Sequence, residues 1–597
     1  MGIIINKNLV ANSNQNPQLM RKYLYLFTFI IFLGCTEKPM TQPDETVIIE
    51  LADIYFAKTI ETHPEYAYFS DIPLDSHDGI SSNKLSDVKL WEDFEDSLYA
   101  ELSKIDEKKL LARNAKIAYW FLKEDLESSI SMRVCKPYLW NVNPETGLQN
   151  ICIAIAQIQP VGTKEFRTQA VDRWNKLPSL IETEISNLKL GVSQGYTMPK
   201  EITHTVINQL QTLLDYTIAE SPFMSPAIRD GDTNFYSLWE NLISDKIIPA
   251  ILIYQNFLIN EYLPAAREDA SILSLPSGNE CYQAYIRKFT STNKTGAEIF
   301  DLGQKIVAIN KNKITELGVE LYNTNEFTEI INFITIDTSN YFTSSDEILT
   351  TSKRLVEKAK KECEKWFTSL PAMEVLIKPY EDYETGSGAY EQAFGNKPAY
   401  FRINLNNPQS QQKGNNEVLT FHETYPGHHV QIGLEKEIEG LHPISKLISF
   451  VSYMEGWARY CEELSEEMGL YESKSALITR RAWSARGMVV DPGIHLKAWT
   501  KEQAINYMVE SGMNEDMALN LYRRSMLIPA QLTSYDVGGE EIKALRKLAE
   551  TQLGEKFNIK EFHSKVLENG AIPLNALRKI IEEWIEEEAN PETTKKN

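Results

Sequence analysis

One short segment concentrates the residues that could bind a metal. The chain has 597 residues and nine histidines, and three of these lie in the run Phe421-His-Glu-Thr-Tyr-Pro-Gly-His-His-Val430. Two imidazoles can hold a zinc ion, and a glutamate directly after the first can take a proton from the water that attacks the substrate. These residue types and their order indicate the chemistry of a zinc hydrolase.

The spacing of these histidines departs from the usual zinc motif. In His-Glu-x-x-His the second histidine follows the first by four residues and shares its helix face. Here that position is Pro426, which removes a backbone donor and kinks a helix. We expect Pro426 and Gly427 to form a bulge that brings His428 to the ligand position. His429 is the alternative, but in a straight helix it would lie about 10 Å from His422 along the axis.

A third ligand is expected from a second helix. The segment 447–464 has a helical pattern, and it contains the run Glu455-Gly-Trp-Ala-Arg-Tyr460. A helix that crosses the histidine segment can supply one carboxylate and leave a zinc position open for water. Glu455 is the candidate ligand, and Glu462 and Glu463 are its rivals on the same helix.

Two later clusters could supply a hydrogen-bond donor for an oxyanion. His495 ends the run Asp491-Pro-Gly-Ile-His495, which we expect to form a turn that interrupts a helical region. Tyr535 lies in the segment 529–538. Water attack on a carbonyl creates a negatively charged oxygen, and histidine and tyrosine are both suitable donors to it.

The elements that must position these residues are mainly helices. From about Val47 onward, apolar residues recur at three-to-four spacing, for example over 109–126, 169–190 and 235–263. Helical order breaks near 371–408, where Met373–Lys378 and Ala399–Leu405 are predicted to be short strands. The edge of the second strand could pair with an extended peptide and hold it over the metal.

These patterns predict a mainly α fold, with one large helical body in one or two lobes and a small β-sheet next to the active site. No linker rich in flexible residues separates the parts. We divide the chain into a helical N-terminal part over 47–370 and a catalytic part over 371–597.

Charge and composition limit the choice of partners. Hydrophobic residues make up 43% of the chain and charged residues 24%, as in globular proteins. The net charge is −22. A strongly acidic chain repels phosphate backbones, so a nucleic acid is not an expected partner.

The N-terminus predicts export. Arg21 and Lys22 precede an apolar run over 23–33, and Gly34-Cys35 follow it. A basic start, a short apolar run and a small residue before the break are typical of a signal peptide. The ending resembles a bacterial lipoprotein signal, in which the cysteine becomes the lipidated first residue. We therefore expect a lipid anchor at Cys35, with an ordinary signal peptide or a membrane anchor as the alternatives, a true start at Met20 and a polar tether over 36–46.

Five cysteines remain after Cys35, and no pair has the C-x-x-C spacing of a thiolate zinc site. Export would permit disulfides. Cys135 and Cys152 are the closest pair in sequence, but the sequence does not establish which cysteines pair. An odd count leaves at least one that is free or paired between chains.

The clusters together resemble a known family. The runs His422-Glu-Thr-Tyr-Pro-Gly-His-His429, Glu455-Gly-Trp-Ala458, Asp491-x-Gly-x-His495 and Pro529-x-Gln-x-x-x-Tyr535-x-x-Gly538 occur in the order found in a large bacterial family catalogued as a domain of unknown function, number eight-eight-five. Weaker likeness extends from His63-Pro-Glu-Tyr-Ala67 through Gly395-x-x-Pro-Ala-Tyr-x-x-x-Asn404. That family is similar to helical zinc peptidases such as thimet oligopeptidase and angiotensin-converting enzyme.

The resemblance implies a helical zincin-like fold with a deep cleft. It implies zinc held by His422, His428 and Glu455, Glu423 as general base, and His495 and Tyr535 lining the site. Lys397, Ala399 and Ala530 depart from the Arg, Gly and Gly expected at those positions, which puts substrate positioning in question more than metal binding.

The sequence thus predicts an exported, lipid-anchored zinc peptidase that acts on short peptides. Two alternatives remain open. One is a zinc hydrolase of a non-peptide amide, and the other is a lipoprotein that binds peptides without catalysis. The retained Glu423 argues against the second, because binding alone does not need a base.

Overall fold

The structure is a computed structural model that describes residues 44–381, 386–393 and 397–589. The predicted signal segment with Cys35, the tether up to residue 43, and Gly395 lie outside the described residues. Within them the protein is mainly helical with one three-stranded sheet, which confirms the predicted mainly α class with a small sheet.

The chain forms two compact units. Among the described residues, the first contains 44–119, 137–268 and 442–447, and the second contains 120–136, 269–381, 386–393, 397–441 and 448–589. Residue 371, where the sequence suggested the start of a catalytic part, therefore lies within the second unit.

The helices of the first unit are α1 (Asp44–Thr62), α2 (Glu65–Phe69), α3 (Leu85–Leu102), α5 (Leu148–Ile158), α6 (Lys164–Trp174), α7 (Leu177–Gln194), α8 (Lys200–Asp215), α9 (Ser225–Asp230), α10 (Thr233–Leu242), α11 (Ile248–Phe257) and α12 (Leu263–Ala265), and α4 (Arg113–Met132) begins in this unit and ends in the second. The helix predicted over 169–190 is thus two helices. Pro178 lies in the first turn of α7, where its missing N–H costs nothing, and this favours a new helix there.

The segment predicted as helical over 235–263 is one long helical run. Two π-helical segments, Ile243–Ile247 and Leu258–Tyr262, join α10, α11 and α12 into a run of 33 residues, Thr233–Ala265. Among the described residues it is the one helix long and apolar enough to cross a membrane, and half of its most apolar window is buried in the protein. A core helix of a soluble domain has the same properties.

The helices of the second unit are α13 (Gly278–Thr290), α14 (Gly296–Tyr322), α15 (Phe327–Ile336), α16 (Ser345–Cys363), α17 (Lys413–Glu423), α18 (His428–Lys436), α19 (Val451–Glu467), α20 (Lys474–Trp483), α21 (Gly487–Leu496), α22 (Lys501–Val509), α23 (Glu515–Leu527), α24 (Ser534–Leu553), α25 (Ile559–Leu567) and α26 (Leu574–Ala589). The turn predicted at Asp491–His495 is wrong, because these residues belong to α21, with Pro492 inside the helix. Residues 487–495 are all buried, so packing outweighs the lost hydrogen bond of the proline.

The sheet contains β1 (Val375–Pro379), β2 (Gly388–Glu391) and β3 (Ala399–Ile403) in the order β1-β3-β2. Strand β3 is parallel to β1 and antiparallel to β2. The two predicted strands are confirmed, and β2 was not predicted. The prediction of a free edge on the second strand is wrong, because β3 is central and pairs on both sides.

A disulfide joins Cys135 to Cys281, both in the second unit. Cys152, Cys363 and Cys461 are free and buried. The pair that is closest in sequence, Cys135 and Cys152, is therefore not the bonded pair. A structural disulfide is typical of proteins that fold outside the reducing cytosol.

Candidate metal centre

The two histidines of the candidate metal site, His422 and His428, come from two helices rather than from one bulged helix. Helix α17 ends at Glu423 and α18 begins at His428, so residues 424–427 separate them. A Cβ at position 427 would lie 1.9 Å from the carbonyl oxygen of His422, so only glycine fits there. The Trp457 indole donates to the carbonyl oxygens of Pro426 (3.1 Å) and Gly427 (3.2 Å), which fixes this connection to α19.

The structure brings His422, His428 and Glu455 together. One ligand atom from each lies within 4.8 Å of the others. Glu455 Oε2 is 3.5 Å from Nε2 of His422 and 3.5 Å from Nε2 of His428. Metal–ligand bonds of about 2.1 Å in a tetrahedral site separate the ligand atoms by about 3.4 Å, so this donor set fits a zinc ion.

His429, the alternative ligand, instead contacts one strand of the sheet and the segment just before another. Its Nε2 lies 3.0 Å from the carbonyl oxygen of Met373, just before β1, and its Nδ1 lies 3.2 Å from the Tyr390 hydroxyl on β2. Burial lowers the pKa of His429 to about 4, so the ring is neutral. His429 therefore anchors the first turn of α18 to the sheet while His428 faces His422.

Glu462, a rival candidate for the ligand position, instead contacts the second ring nitrogen of His422. Its Oε1 is 2.9 Å from His422 Nδ1, and the Arg459 guanidinium donates to both of its oxygens at 3.0 Å. Burial opposes protonation of His422, but hydrogen bonds to Glu455 and Glu462 outweigh it and raise its pKa to about 10. A carboxylate behind a ligating histidine fixes the ring orientation and increases its basicity.

The carboxylates of α17 and α19 differ in their electrostatic environment. Burial raises the pKa of Glu423, which accepts a hydrogen bond from the Tyr390 N–H at 2.8 Å. Burial acts in the same sense on Glu455, but its hydrogen bonds to His422 and His428 lower its pKa. Glu455 is therefore held as an anion, while Glu423 is the carboxylate best suited to exchange a proton.

Close packing of α19 against α24 brings Tyr535 to the same region. A Cβ at Gly538 would lie 1.8 Å from the carbonyl oxygen of Ser452, so a larger residue would force the helices apart. Burial and the charge of Glu455 raise the pKa of Tyr535 to about 12, so its hydroxyl keeps its proton. The Arg459 guanidinium lies 5.9 Å from the Tyr535 ring centroid.

The structure places His495 in a buried hydrogen-bond network with Ile272 and Ser525. Its Nδ1 accepts a hydrogen bond from the N–H of Ile272 (3.2 Å), and its Nε2 lies 3.0 Å from the carbonyl oxygen of Ser525. Asp491 completes this network by accepting from Tyr282 and Ser525 at 2.7 Å each. Both ring nitrogens of His495 are thus engaged in holding helices together.

Sequence reasoning missed Tyr390, because the strand that carries it was not predicted, and it treated Glu462 only as a rival ligand. A ligating histidine needs an acceptor at its second nitrogen, and that requirement could have assigned Glu462 this role.

Ala530, where a glycine was expected, has a φ of +68°, a conformation that glycine adopts more readily.

Comparison with known proteins agrees with the sequence resemblance. Residues 64–581 match the family model described as "Bacterial protein of unknown function (DUF885)". The chain belongs to this DUF885 family. No curated protein matches the sequence. The family assignment confirms the predicted membership, and it assigns no activity.

Two solved structures share the fold. A protein described as a "putative lipoprotein from Colwellia psychrerythraea" is 22% identical, with a TM-score of 0.80 over 91% of this chain and 99% of that chain. A "putative lipoprotein of unknown function from Shewanella oneidensis" is 18% identical, with a TM-score of 0.74 over 90% of this chain and 99% of that chain. At these identities the likeness establishes the fold alone.

Proposed function

We propose that this DUF885 protein is an exported zinc peptidase that hydrolyses short peptides. The observation that carries the proposal is the convergence of His422, His428 and Glu455, with Glu423 adjacent in sequence. When bound, zinc supplies Lewis acidity, which lowers the pKa of water and polarises a carbonyl group. Two imidazoles and one carboxylate are a typical protein ligand set for catalytic zinc.

Glu423 is the proposed general base. Its carboxylate takes a proton from the attacking water as the new C–O bond forms, and it returns a proton to the amine as the C–N bond breaks. Its raised pKa and its position at the end of α17 support this role. The Tyr535 hydroxyl, which stays protonated, is the proposed donor to the oxyanion. His495 is not retained as an alternative donor, because both of its nitrogens are engaged elsewhere.

Strand β2 is the proposed binding edge for an extended peptide. The Tyr390 N–H donates to Glu423 and therefore points away from β3. A peptide that added to this outer edge would pass beside the proposed base. The expected cleft would admit short peptides, and this part of the proposal rests on the likeness to helical oligopeptidases.

The N-terminal sequence supports attachment to the bacterial cell envelope through a lipid on Cys35. The two similar structures are described as lipoproteins, which agrees with this proposal. Fatty-acid labelling of the expressed protein tests it. We expect label in the wild type and none in Cys35→Ser, and a labelled Cys35→Ser variant would contradict it.

The Glu423→Gln variant tests the proposed mechanism. We expect it to retain bound zinc and to lose peptidase activity by about 10²–10⁴-fold, because the base is lost while the ligands stay. The measurement is kcat/KM on a panel of short peptides together with zinc content. Glu374→Gln, at an exposed acid next to β1, is the matched control.

Full activity of Glu423→Gln would refute the mechanism. Hydrolysis of non-peptide amides but of no peptide would keep the mechanism and replace the substrate class. Zinc binding without hydrolysis of either class would favour the non-catalytic alternative.

A further inference from the structure

The link between α3 and α4 differs in charge from the rest of the chain. Residues 104–116, which form this link and the first turn of α4, include five basic residues and two acidic ones, whereas the whole chain has a net charge of −22. The side chains of Lys104 and Lys109 are 67% and 69% exposed, and they pair with Glu101 and Asp106 at the surface. Such exposed pairs are weak, so these lysines can exchange partners. We call residues 104–116 the basic segment.

The basic segment holds one leucine out in solvent. Leu111 is 82% exposed, the highest value for a large apolar residue among the described residues. Its neighbour Leu110 is fully buried, and the 3-10 turn Glu107–Lys109 before it is capped by Asp106, which accepts from the Lys108 N–H at 3.2 Å. One exposed leucine alone indicates nothing, but a leucine held outward among basic residues is typical of a surface that meets a membrane.

The basic segment also lies next to the point where the chain enters the fold. Glu45, the second residue of α1, accepts hydrogen bonds from the N–H groups of Leu111 (2.6 Å) and Ala112 (2.7 Å). Only residues 36–43 separate the proposed lipid on Cys35 from α1. A fully extended chain spans at most about 3.6 Å per residue, so an anchored lipid would keep Glu45 within about 35 Å of the bilayer.

The charge of the basic segment fits an anionic bilayer. Exposed lysine and arginine side chains are attracted to anionic phospholipid, and the attraction acts over about a Debye length. The acidic remainder of the chain is repelled by the same surface, which favours an orientation with the basic segment towards it. A leucine between basic residues can enter the boundary of headgroups and acyl chains while the basic groups stay at the phosphates.

We propose that the basic segment is a membrane-docking surface, with Leu111 inserted and Lys108 and Lys109 against the phosphates of anionic phospholipid in the bilayer that carries the Cys35 lipid. This inference goes beyond the proposed peptidase activity, and it rests on the proposed lipid anchor. Docking fixes the orientation of the first unit on the bilayer, which a lipid anchor alone does not do.

Quenching by a nitroxide-labelled lipid tests the docking. The lipidated full chain is placed in vesicles of phosphatidylcholine with phosphatidylglycerol, with an environment-sensitive fluorophore on Ser103→Cys at the end of α3 or on Ser186→Cys on α7. The two serines are matched, because both are exposed and donate to the carbonyl oxygen four residues earlier. The free cysteines of the described residues are buried, so the label goes to the introduced one. We expect strong quenching at 103 and weak quenching at 186.

Two variants, measured with the label at 103, separate the charge of the segment from its leucine. Lys108→Gln with Lys109→Gln should lower the ratio of docked to undocked protein by about fivefold for each lysine removed. Leu111→Gln should lower it by about tenfold. Phosphatidylcholine alone should reproduce the effect of the lysine variants.

The control variants change residues of the same kind at other surfaces of the first unit. Lys164→Gln with Lys246→Gln removes two exposed lysines, and Ile228→Gln replaces an isoleucine that is 62% exposed on α9. We expect both controls to keep the quenching of the wild type at 103.

Equal quenching at 103 and 186 in the lipidated protein would overturn the inference, as would full quenching at 103 in the lysine and leucine variants. A chain without label in the fatty-acid experiment would contradict the lipid anchor instead. The readout involves no catalysis, so a protein that docks as expected but hydrolyses no peptide would contradict the proposed activity alone.

Discussion

At the scale of single residues, the candidate site consists of the candidate metal ligands and of further side chains that hydrogen-bond to them and fix their orientation. His422 is held between Glu455 and Glu462, and Glu462 is held by Arg459. The histidine motif, the pattern of the helix that carries Glu455 and the family resemblance led the sequence to predict His422, His428 and Glu455 as candidate ligands, and the structure brings the three together. The sequence could not predict the supporting contacts, since exposed and buried glutamates look the same in a sequence.

Glu462→Gln tests this support. The amide cannot match the charge of the carboxylate that orients His422, so we expect zinc affinity to fall by about 10–100-fold. Competition with a chromophoric zinc chelator measures the affinity. Glu463→Gln, at the neighbouring position of α19, is the matched control because Glu463 pairs with Lys543 away from the ligands. Equal zinc affinity in wild type and Glu462→Gln would show that Glu462 does not support the ligand.

At the scale of elements, local patterns predicted most helices but not the elements that depend on distant packing. The four-residue strand β2 is too short to show an alternating pattern, and it exists because β3 pairs with it. Helix α21 was mistaken for a turn because of Pro492 and Gly493. Its burial on all sides, which a sequence does not reveal, outweighs both residues.

Helix α7 in the first unit carries a buried carboxylate that should affect stability. Glu184 is 4% exposed, and burial raises its pKa from 4.5 to about 7, although the Asn83 amide donates to it at 2.7 Å. Between these pH values the folded protein holds a proton that the unfolded chain has lost. The stability that this group contributes is therefore complete at low pH and is lost as pH rises through about 7.

Glu184→Gln should remove this pH dependence. Relative to wild type, we expect the variant to be of similar stability at pH 5 and to be more stable at pH 8, by up to about 3 kcal/mol. Thermal unfolding of both proteins at the two pH values measures the difference. Glu182→Gln, at an exposed position of the same helix, should behave as wild type. A Glu184→Gln variant that keeps the pH dependence of the wild type would refute this prediction.

At the scale of the whole molecule, the sequence predicted the mainly helical class and the family, and the structure and the family match agree. It could not predict which segments form each of the two compact units, because each unit is assembled from segments that are far apart in the chain. The same applies to the disulfide, whose cysteines are 146 residues apart. Long-range pairing depends on packing that short patterns do not encode.

The central claim is that His428, rather than His429, completes a zinc site with His422 and Glu455. The most direct test is the zinc content of the purified chain beside His428→Gln and His429→Gln. We predict about one zinc per chain in the wild type and in His429→Gln, and a large loss in His428→Gln. A wild type that takes up no zinc, or a loss of zinc in His429→Gln but not in His428→Gln, would contradict the account.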